Sequence, residues 1–365
     1  DAYRLAAQFR QRGTPVVLGG IHVSLMPDEA AEHADAIVVG GAEQAWPALL
    51  SDAAAGTLQR RYQGATRDVF SPQLYRMPRF DLLGGRPYNR ITVQTTRGCP
   101  RACEFCAASL RITQRYEQKP VGLVVAEIRE ARRHFPHPFF ELADDNTFLN
   151  RRWSKDLLRA LQRENIHYFT ETDASIVDDL ELCDLLAQSG CRQVLIGFES
   201  PRADDLSGMD PANWKRRQVP HIERIVDVLQ SRGVSVNGCF ILGLDNQTPD
   251  VFPELLDLVR RSGLAEVQYT VSTPFPGTPL HQRLQREGRL LPDKGNDDCT
   301  LFDVNFLPKR MSVSDLEQGL RWLFSETYTK PETRRRMRRF AQQKRRGVRP
   351  NPAHPVRLPL LTEAG

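Results

Sequence analysis

The feature that most constrains this chain is a regular alternation of short apolar segments with amphipathic stretches from Arg90 to about Gln285. Strand-like runs fall at 90–96, 138–143, 166–172, 192–198, 234–242 and 265–271. Helical spacing fills the regions near 119–134, 151–164, 178–189, 219–232 and 249–261, and 201–219 forms a longer connection. Strands separated by whole helices pair in parallel, because a parallel neighbour needs a crossover of that length. Six such units make an incomplete barrel, since eight close a full one. The fold class is therefore α/β, a partial (βα)6 TIM-like barrel. In barrels of this kind the chemistry sits at the C-terminal ends of the strands.

The flanks read differently. Residues 1–56 alternate a helix (2–12), a short strand (16–18) ending in Gly19-Gly20, a short helix (28–33), a strand (36–39) ending in Gly40-Gly41, and a helix from about Glu43 to Ala55. Two strands are too few for a domain, so the expectation is the rear half of a doubly wound, Rossmann-like unit. The chain opens on Asp1 inside a helix, which fits a fragment. Residues 57–89 lack periodicity and read as a linker, 286–345 as a helical extension with a helix at 314–328, and 346–365 as a disordered tail.

Composition narrows the function. No run approaches the ~20 apolar residues of a membrane span. The net charge of +5 is uneven: residues 330–349 hold ten Lys or Arg and one acid, leaving the rest acidic. The body is thus not a basic nucleic-acid binder. Only the tail offers a cationic face, for solvent or, as the alternative, for nucleic acid or an anionic membrane surface. Seven cysteines, an odd count in a long chain, fit a reducing compartment, the cytoplasm, and a metal site rather than a disulfide framework.

Three of those cysteines crowd directly after the first barrel strand, in Thr95-Thr96-Arg97-Gly98-Cys99-Pro100-Arg101-Ala102-Cys103-Glu104-Phe105-Cys106. Structural zinc wants four protein ligands, and no fourth Cys or His lies close by. Three thiolates on a cubane cluster leave one iron open to a substrate or cofactor. The spacing and its place after the first strand resemble the radical S-adenosylmethionine superfamily. The resemblance implies a [4Fe-4S] cluster on Cys99, Cys103 and Cys106 that cleaves S-adenosylmethionine reductively.

The later strand ends extend the resemblance. Phe105 resembles the aromatic that lies near adenine. Asp144 and Asp145 stand where the family places a motif for the methionyl amino group; their own chemistry also fits a helix N-cap. Glu199 and Ser200, after Gly197, match the ribose-contact position. Gly243 closes a Gly-x-Ile-x-Gly-like run, and Thr273–Leu280 resembles a Pro-Gly-Thr loop of one branch. Thr170–Asp173 point into the barrel mouth or form a turn, and Cys239 reads as packing. In that branch a cobalamin-binding domain precedes the barrel, and Gly19, Gly20 and the altered motif Gly40-Gly41-Ala42-Glu43 resemble its rear half. His22 is read as a surface or structural residue rather than a cobalt ligand. The implied activity is methyl transfer to an unactivated centre of a small-molecule or lipid-like substrate, with flavodoxin or ferredoxin as reductant. Alternatives are a cyclase or rearranging enzyme with a vestigial cobalamin unit, an RNA methylthiotransferase, disfavoured because no cysteine precedes Cys99, and a non-catalytic iron–sulfur module.

Overall fold

The computed structural model describes residues 1–84, 86–107 and 115–347. Its centre is a six-stranded parallel sheet made of β4 (Ile91–Val93), β7 (Phe139–Leu142), β8 (His167–Thr172), β9 (Cys191–Glu199), β10 (Ser235–Leu242) and β11 (Glu266–Val271). The strands lie side by side in chain order, each paired in parallel with the next. Helices α5 (Val121–His134), α6 (Arg151–Glu164), α7 (Leu180–Gln188), α9 (Ile222–Ser231) and α10 (Val251–Ser262) return the chain. A short α8 (Trp214–Gln218) sits in the long connection before α9. All six strands and five helices expected for the barrel are present. The sheet stays open between β4 and β11.

Local chemistry explains the elements. α6 starts where the Asn150 side chain accepts from the Trp153 amide at 3.2 Å, and it ends at Asn165 in the left-handed region. It buries Leu157, Leu158 and Leu161 on one face. Such faces cover the outer side of the central strands, so Tyr168, Val194, Ile196, Phe240 and Leu242 are fully buried, while the alternate residues Leu195, Gly197 and Cys239 face the interior.

The N-terminal unit holds α1 (Ala2–Gln11), β1 (Val17–Leu18), α2 (Ile21–Leu25), α3 (Pro27–Glu32), β2 (Ala36–Val39) and α4 (Ala42–Ala55). It has a third strand, β3 (Arg61–Gln63), paired in parallel with β2. The expected linker at 57–89 therefore supplies part of the sheet before it crosses to the barrel. Only Tyr62 of this strand is buried, so alternation over three residues was too short a signal. The helix α2, also unforeseen, follows Gly20, whose φ of +101° turns the chain out of β1.

A two-stranded ribbon, β5 (Thr96–Arg97) with β6 (Glu117–Gln118), flanks the cysteine loop. After the sheet come α11 (Pro279–Arg286), α12 (Val313–Thr327) and α13 (Lys330–Gly347). Ser312 and Asp315 cap α12 reciprocally. The basic helix α13 is not a free tail: it packs on α9 and buries Arg336 and Gln343. Arg346 and Gly347, assigned to the disordered segment, end this helix, while residues 348–365 lie outside the described residues. Among the described residues no helix is long and apolar enough to cross a membrane.

Candidate active site

A cavity of about 300 Å³ opens at the C-terminal ends of the sheet strands. Cys99, Cys103 and Cys106 line it, with Phe105, Asp145, Asn146, Glu171 and Glu199 among the other wall residues. Among the described residues, no three His, Cys, Asp or Glu side chains converge on one point as a single metal ion requires.

The cysteine loop is fixed through its backbone and through Glu104. Gly98 and Ala102 both take positive φ, +87° and +50°. The Glu104 amide donates to Met209 O and its carbonyl accepts from the Leu280 amide, each at 3.0 Å. Its carboxylate takes a forked pair from Arg283 at 2.8 and 3.1 Å. Burial pushes the Cys103 thiol up to about 12, and the Cys99 thiol also rises for that reason. Both thiols are therefore protonated at neutral pH, and a metal must displace the proton to bind.

The two adjacent aspartates serve different ends. Asp145 faces the cavity, where burial raises its pKa against the Gly98 amide and the Arg97 charge. Asp144 turns the other way and is fully engaged: it accepts from the Thr95 and Thr96 amides at 2.7 Å each, from the Thr95 hydroxyl, and from the Thr147 hydroxyl at 2.9 Å. It ties the start of the cysteine loop to β7 and does not reach the cavity. The N-cap alternative also fails for both, since Asn150 caps α6.

Glu199 depends on a local irregularity. In the pairing of β9 with β10, Cys239 faces Gly197 and Phe240 faces Glu199, so one residue of β9 is skipped. Such a bulge re-aims a side chain. Glu199 takes φ +68° and folds back over Gly197, where a Cβ would lie 2.2 Å from its Oε1. Its partner is Lys215 of α8, whose ammonium bonds Glu199 and also Gly197 O at 3.0 Å. Burial opposes the Lys215 charge, but the Glu199 carboxylate beside it raises its pKa overall. Lys215 was not foreseen, because α8 lies in an aperiodic connection. A buried acid at Glu199 demands a cation, and Lys215-Arg216-Arg217 is the basic cluster of that connection.

Ser200 is buried but points away, with its hydroxyl on Asp205. Gly243 also lies outside the cavity: its amide donates to Gln247 at 2.8 Å, and a Cβ there would meet Phe306 and Leu316 at 2.9 and 2.8 Å. It seats the C-terminal extension. Gly19 and Gly20 stand exposed at the end of β1 and do not line this cavity. His22 pairs with Glu29 at 3.2 Å, as expected of a structural histidine. Cys239, read as packing, lines the cavity.

Two further residues complete the wall. Asp173 accepts from Arg101 at 2.8 Å and from Asn146 at 2.9 Å. Burial works against the Asp173 carboxylate, yet Arg101 and the Ser175 and Asn146 donors hold it below its ordinary value. Arg101 in turn lies 3.7 Å over the Trp214 ring. Glu171 is pushed up to about 7, first by burial and then by the charges of Asp145, Glu141 and Asp144. The Asn146 Oδ1 is buried with no partner among the described residues.

The site thus combines the three loop thiols and that of Cys239 with several carboxylates, one buried ammonium and an apolar patch of Phe105 with Ile241. Comparisons with known proteins agree with it. The chain is 28% identical to the bacteriochlorophyllide d C-8(2)-methyltransferase of Chlorobaculum tepidum over 79% of its length, spanning 66% of that protein. It is 28% identical to the hopanoid C-2 methylase of Rhodopseudomonas palustris over 80% of its length, spanning 56% of that protein. The fold matches that of the radical S-adenosylmethionine methyltransferase TsrM from Kitasatospora setae, solved with cobalamin and a [4Fe-4S] cluster. That match has a TM-score of 0.66 and 20% identity, over 87% of this chain and 67% of that one. The cobalamin-dependent radical enzyme OxsB matches with a TM-score of 0.68 and 15% identity, over 94% of this chain and 60% of that one. Residues 278–362 match a domain of unknown function, DUF4070. Residues 93–259, the segment that builds the cavity's cysteine loop and most of its strands, match the model of the radical SAM superfamily.

Proposed function

We propose that this chain is the catalytic portion of a cobalamin-dependent radical S-adenosylmethionine methyltransferase acting on an unactivated centre of a small molecule. The observation that carries the reading is the meeting of Cys99, Cys103 and Cys106 with Asp145, Glu171 and Glu199 around one cavity at the strand ends. The residues fit the cluster and S-adenosylmethionine. Three thiols on one cavity wall that do not converge on a single point suit a [4Fe-4S] cluster, which takes one thiolate per iron and leaves one iron open. The unpaired Asn146 Oδ1 and the carboxylates suit an ammonium group. When bound, the cluster supplies the electron that breaks the sulfonium of S-adenosylmethionine, and cobalamin carries the methyl group.

The chain's own part is orientation and exclusion of water. Asp145 and Glu171 accept from the methionyl amino group, and Glu199, held by Lys215, accepts from ribose hydroxyls. Phe105 and Ile241 pack against adenine. Gly19 and Gly20, exposed at the end of β1, are the corrin-side positions we assign to the N-terminal unit, which extends through β3. Flavodoxin or ferredoxin serves as reductant. The related methyltransferases act on bulky ring systems, a bacteriochlorophyllide and a hopanoid, in keeping with a small-molecule or lipid-like substrate. The cytoplasm is the compartment that keeps seven free thiols reduced.

The test is anaerobic reconstitution with iron and sulfide. The protein is expected to convert S-adenosylmethionine to 5′-deoxyadenosine, and Cys99→Ala, Cys103→Ala or Cys106→Ala each to bring conversion to background. Conversion that persists unchanged in all three variants would refute the assignment.

A further inference from the structure

The cavity wall is chemically divided. Asp145, Asn146, Glu171, Asp173, Glu199 and Lys215 occupy the side built by β7, β8 and β9 with α8. The side built by β11 and the chain beyond it carries Val271, Phe275 and Leu301. Two threonines there spend their hydroxyls on backbone: Thr270 donates to Phe240 O at 3.3 Å and Thr273 to Val271 O at 3.1 Å. That side therefore carries no charged group, with Gln268 and Ser272 as its remaining polar residues.

Leu301 is held in the cavity against its own preference. Its φ is +70°, a left-handed conformation that a leucine rarely adopts. The surrounding bonds enforce it. The Val271 amide donates to Leu301 O at 2.7 Å, fixing the loop to the free edge of the sheet. The Thr300 hydroxyl accepts from the Phe302 and Asp303 amides at 3.2 Å and donates to Asp303 at 2.6 Å. Strain maintained by several neighbours is a mark of a working position. Phe302, the next residue, is 52% exposed.

The cysteine loop already has its own apolar contact, in which Phe105 packs with Ile241, Leu206, Met209 and Leu244. Leu301 stands apart from that group. A cavity near 300 Å³ is at the small end of ligand sites. Once a cofactor fills the polar side, only the reacting end of a second molecule finds room.

We propose that Leu301, with Val271 and Phe275, forms the wall that selects the substrate, and that it takes an uncharged, apolar body whose bulk projects past Phe302 to solvent. The proposal rests on the methyltransferase reading for the place of the cofactor. The probe is 1-pyrenemethanol, titrated by fluorescence into the reconstituted full chain with and without S-adenosylmethionine, whose own affinity is measured in parallel. The wild type is expected to bind the probe saturably. Leu301→Asp should weaken that binding at least tenfold, Leu301→Met should stay within twofold, and affinity for S-adenosylmethionine should stay within twofold throughout. Leu301→Gly, which relieves the positive φ, should also lose probe affinity and covers the case in which the aspartate variant does not fold. Absence of saturable binding by the wild type, or wild-type probe affinity in Leu301→Asp or, where that variant does not fold, in Leu301→Gly, overturns the proposal. So does a parallel fall in S-adenosylmethionine affinity, which would make Leu301 a cofactor wall. If the wild type fails to bind S-adenosylmethionine, the cofactor reading falls, and the titration without it still decides Leu301.

Discussion

Asp144 and Asp145 show how far residue types reach and where they stop. Both are acids at the end of one strand, and nothing in their identity separates them. The alternation of the backbone does: one side chain faces the cavity and the other ties down Thr95 and Thr96. Glu199 and Ser200 divide in the same way, with a bulge deciding which reaches the cavity. The three cysteines, Phe105, Asp145 and Glu199 were legible because a short loop or a strand end confines them. Lys215 and Leu301 were not, because they arrive from segments without periodicity. Glu171 carries a testable linkage at this scale. Its carboxyl sits at about 7 in the folded chain, above the ordinary 4.5. Above the ordinary value the unfolded chain gives up this proton while the folded chain keeps it, so stability falls as pH rises. The loss between about pH 4.5 and 7 amounts to at most about 3 kcal/mol. Urea denaturation of the metal-free chain across this range should show the fall in the wild type and a flatter profile in Glu171→Gln.

At the scale of elements, the barrel's strands and helices follow from pattern, while the role of α13 does not. Its nine Lys or Arg against a single Glu suggested a face turned outward. In the structure part of that charge is internal bonding. Arg336 is buried, donating to Thr327 O and to Ala265 O and lying 5.1 Å from the Tyr328 ring. Arg339 donates to Arg260 O and Arg261 O at the end of α10, and Gln343 joins Gln230 at 2.6 Å. Arginine is suited to this, since its fork satisfies several carbonyls at once. Arg336→Ala leaves two buried carbonyls unpaired and should cost about 2–4 kcal/mol in a denaturation midpoint. Arg338→Ala, on the exposed side of the same helix, should stay within about 0.5 kcal/mol. Equal effects from the two would mean that α13 is not seated as described.

At the scale of the molecule, the N-terminal unit is bolted to the barrel close to the cysteine loop. Arg97, two residues before Cys99, meets Glu43 at 2.7 Å, and the Asp68 and Val69 amides donate to Glu117 at 2.7 and 2.9 Å. The loop after β11 adds a steric contact, where Gly277 has φ +80° and a Cβ would fall 2.8 Å from the Cβ of Leu25. Gly277→Val should cost about 1–3 kcal/mol and speed tryptic cleavage of the crossing segment around residues 65–90. Gly288→Val is the matched control: its φ is +65° with open space around it, so it carries only the backbone penalty. Faster cleavage in both variants alike would remove the clash as the cause. None of these contacts could be read from sequence, because each joins residues more than forty positions apart whose types occur throughout the chain.

The strictly sequential order of the sheet has a consequence for biosynthesis. Each strand needs only its predecessor as a template, so the sheet can grow by one unit at a time as the chain leaves the ribosome. At every stage the newest strand is an open edge, the kind of surface that recruits other chains. For most strands that exposure lasts until the next helix and strand emerge. For β11 it ends only when Leu301 O takes the Val271 amide and the Phe324 and Tyr328 rings of the α12 region close over the edge. Nascent chains stalled between residues 271 and 330 are thus the aggregation-prone intermediates of this protein, and the extension that shapes the cavity also ends that vulnerability.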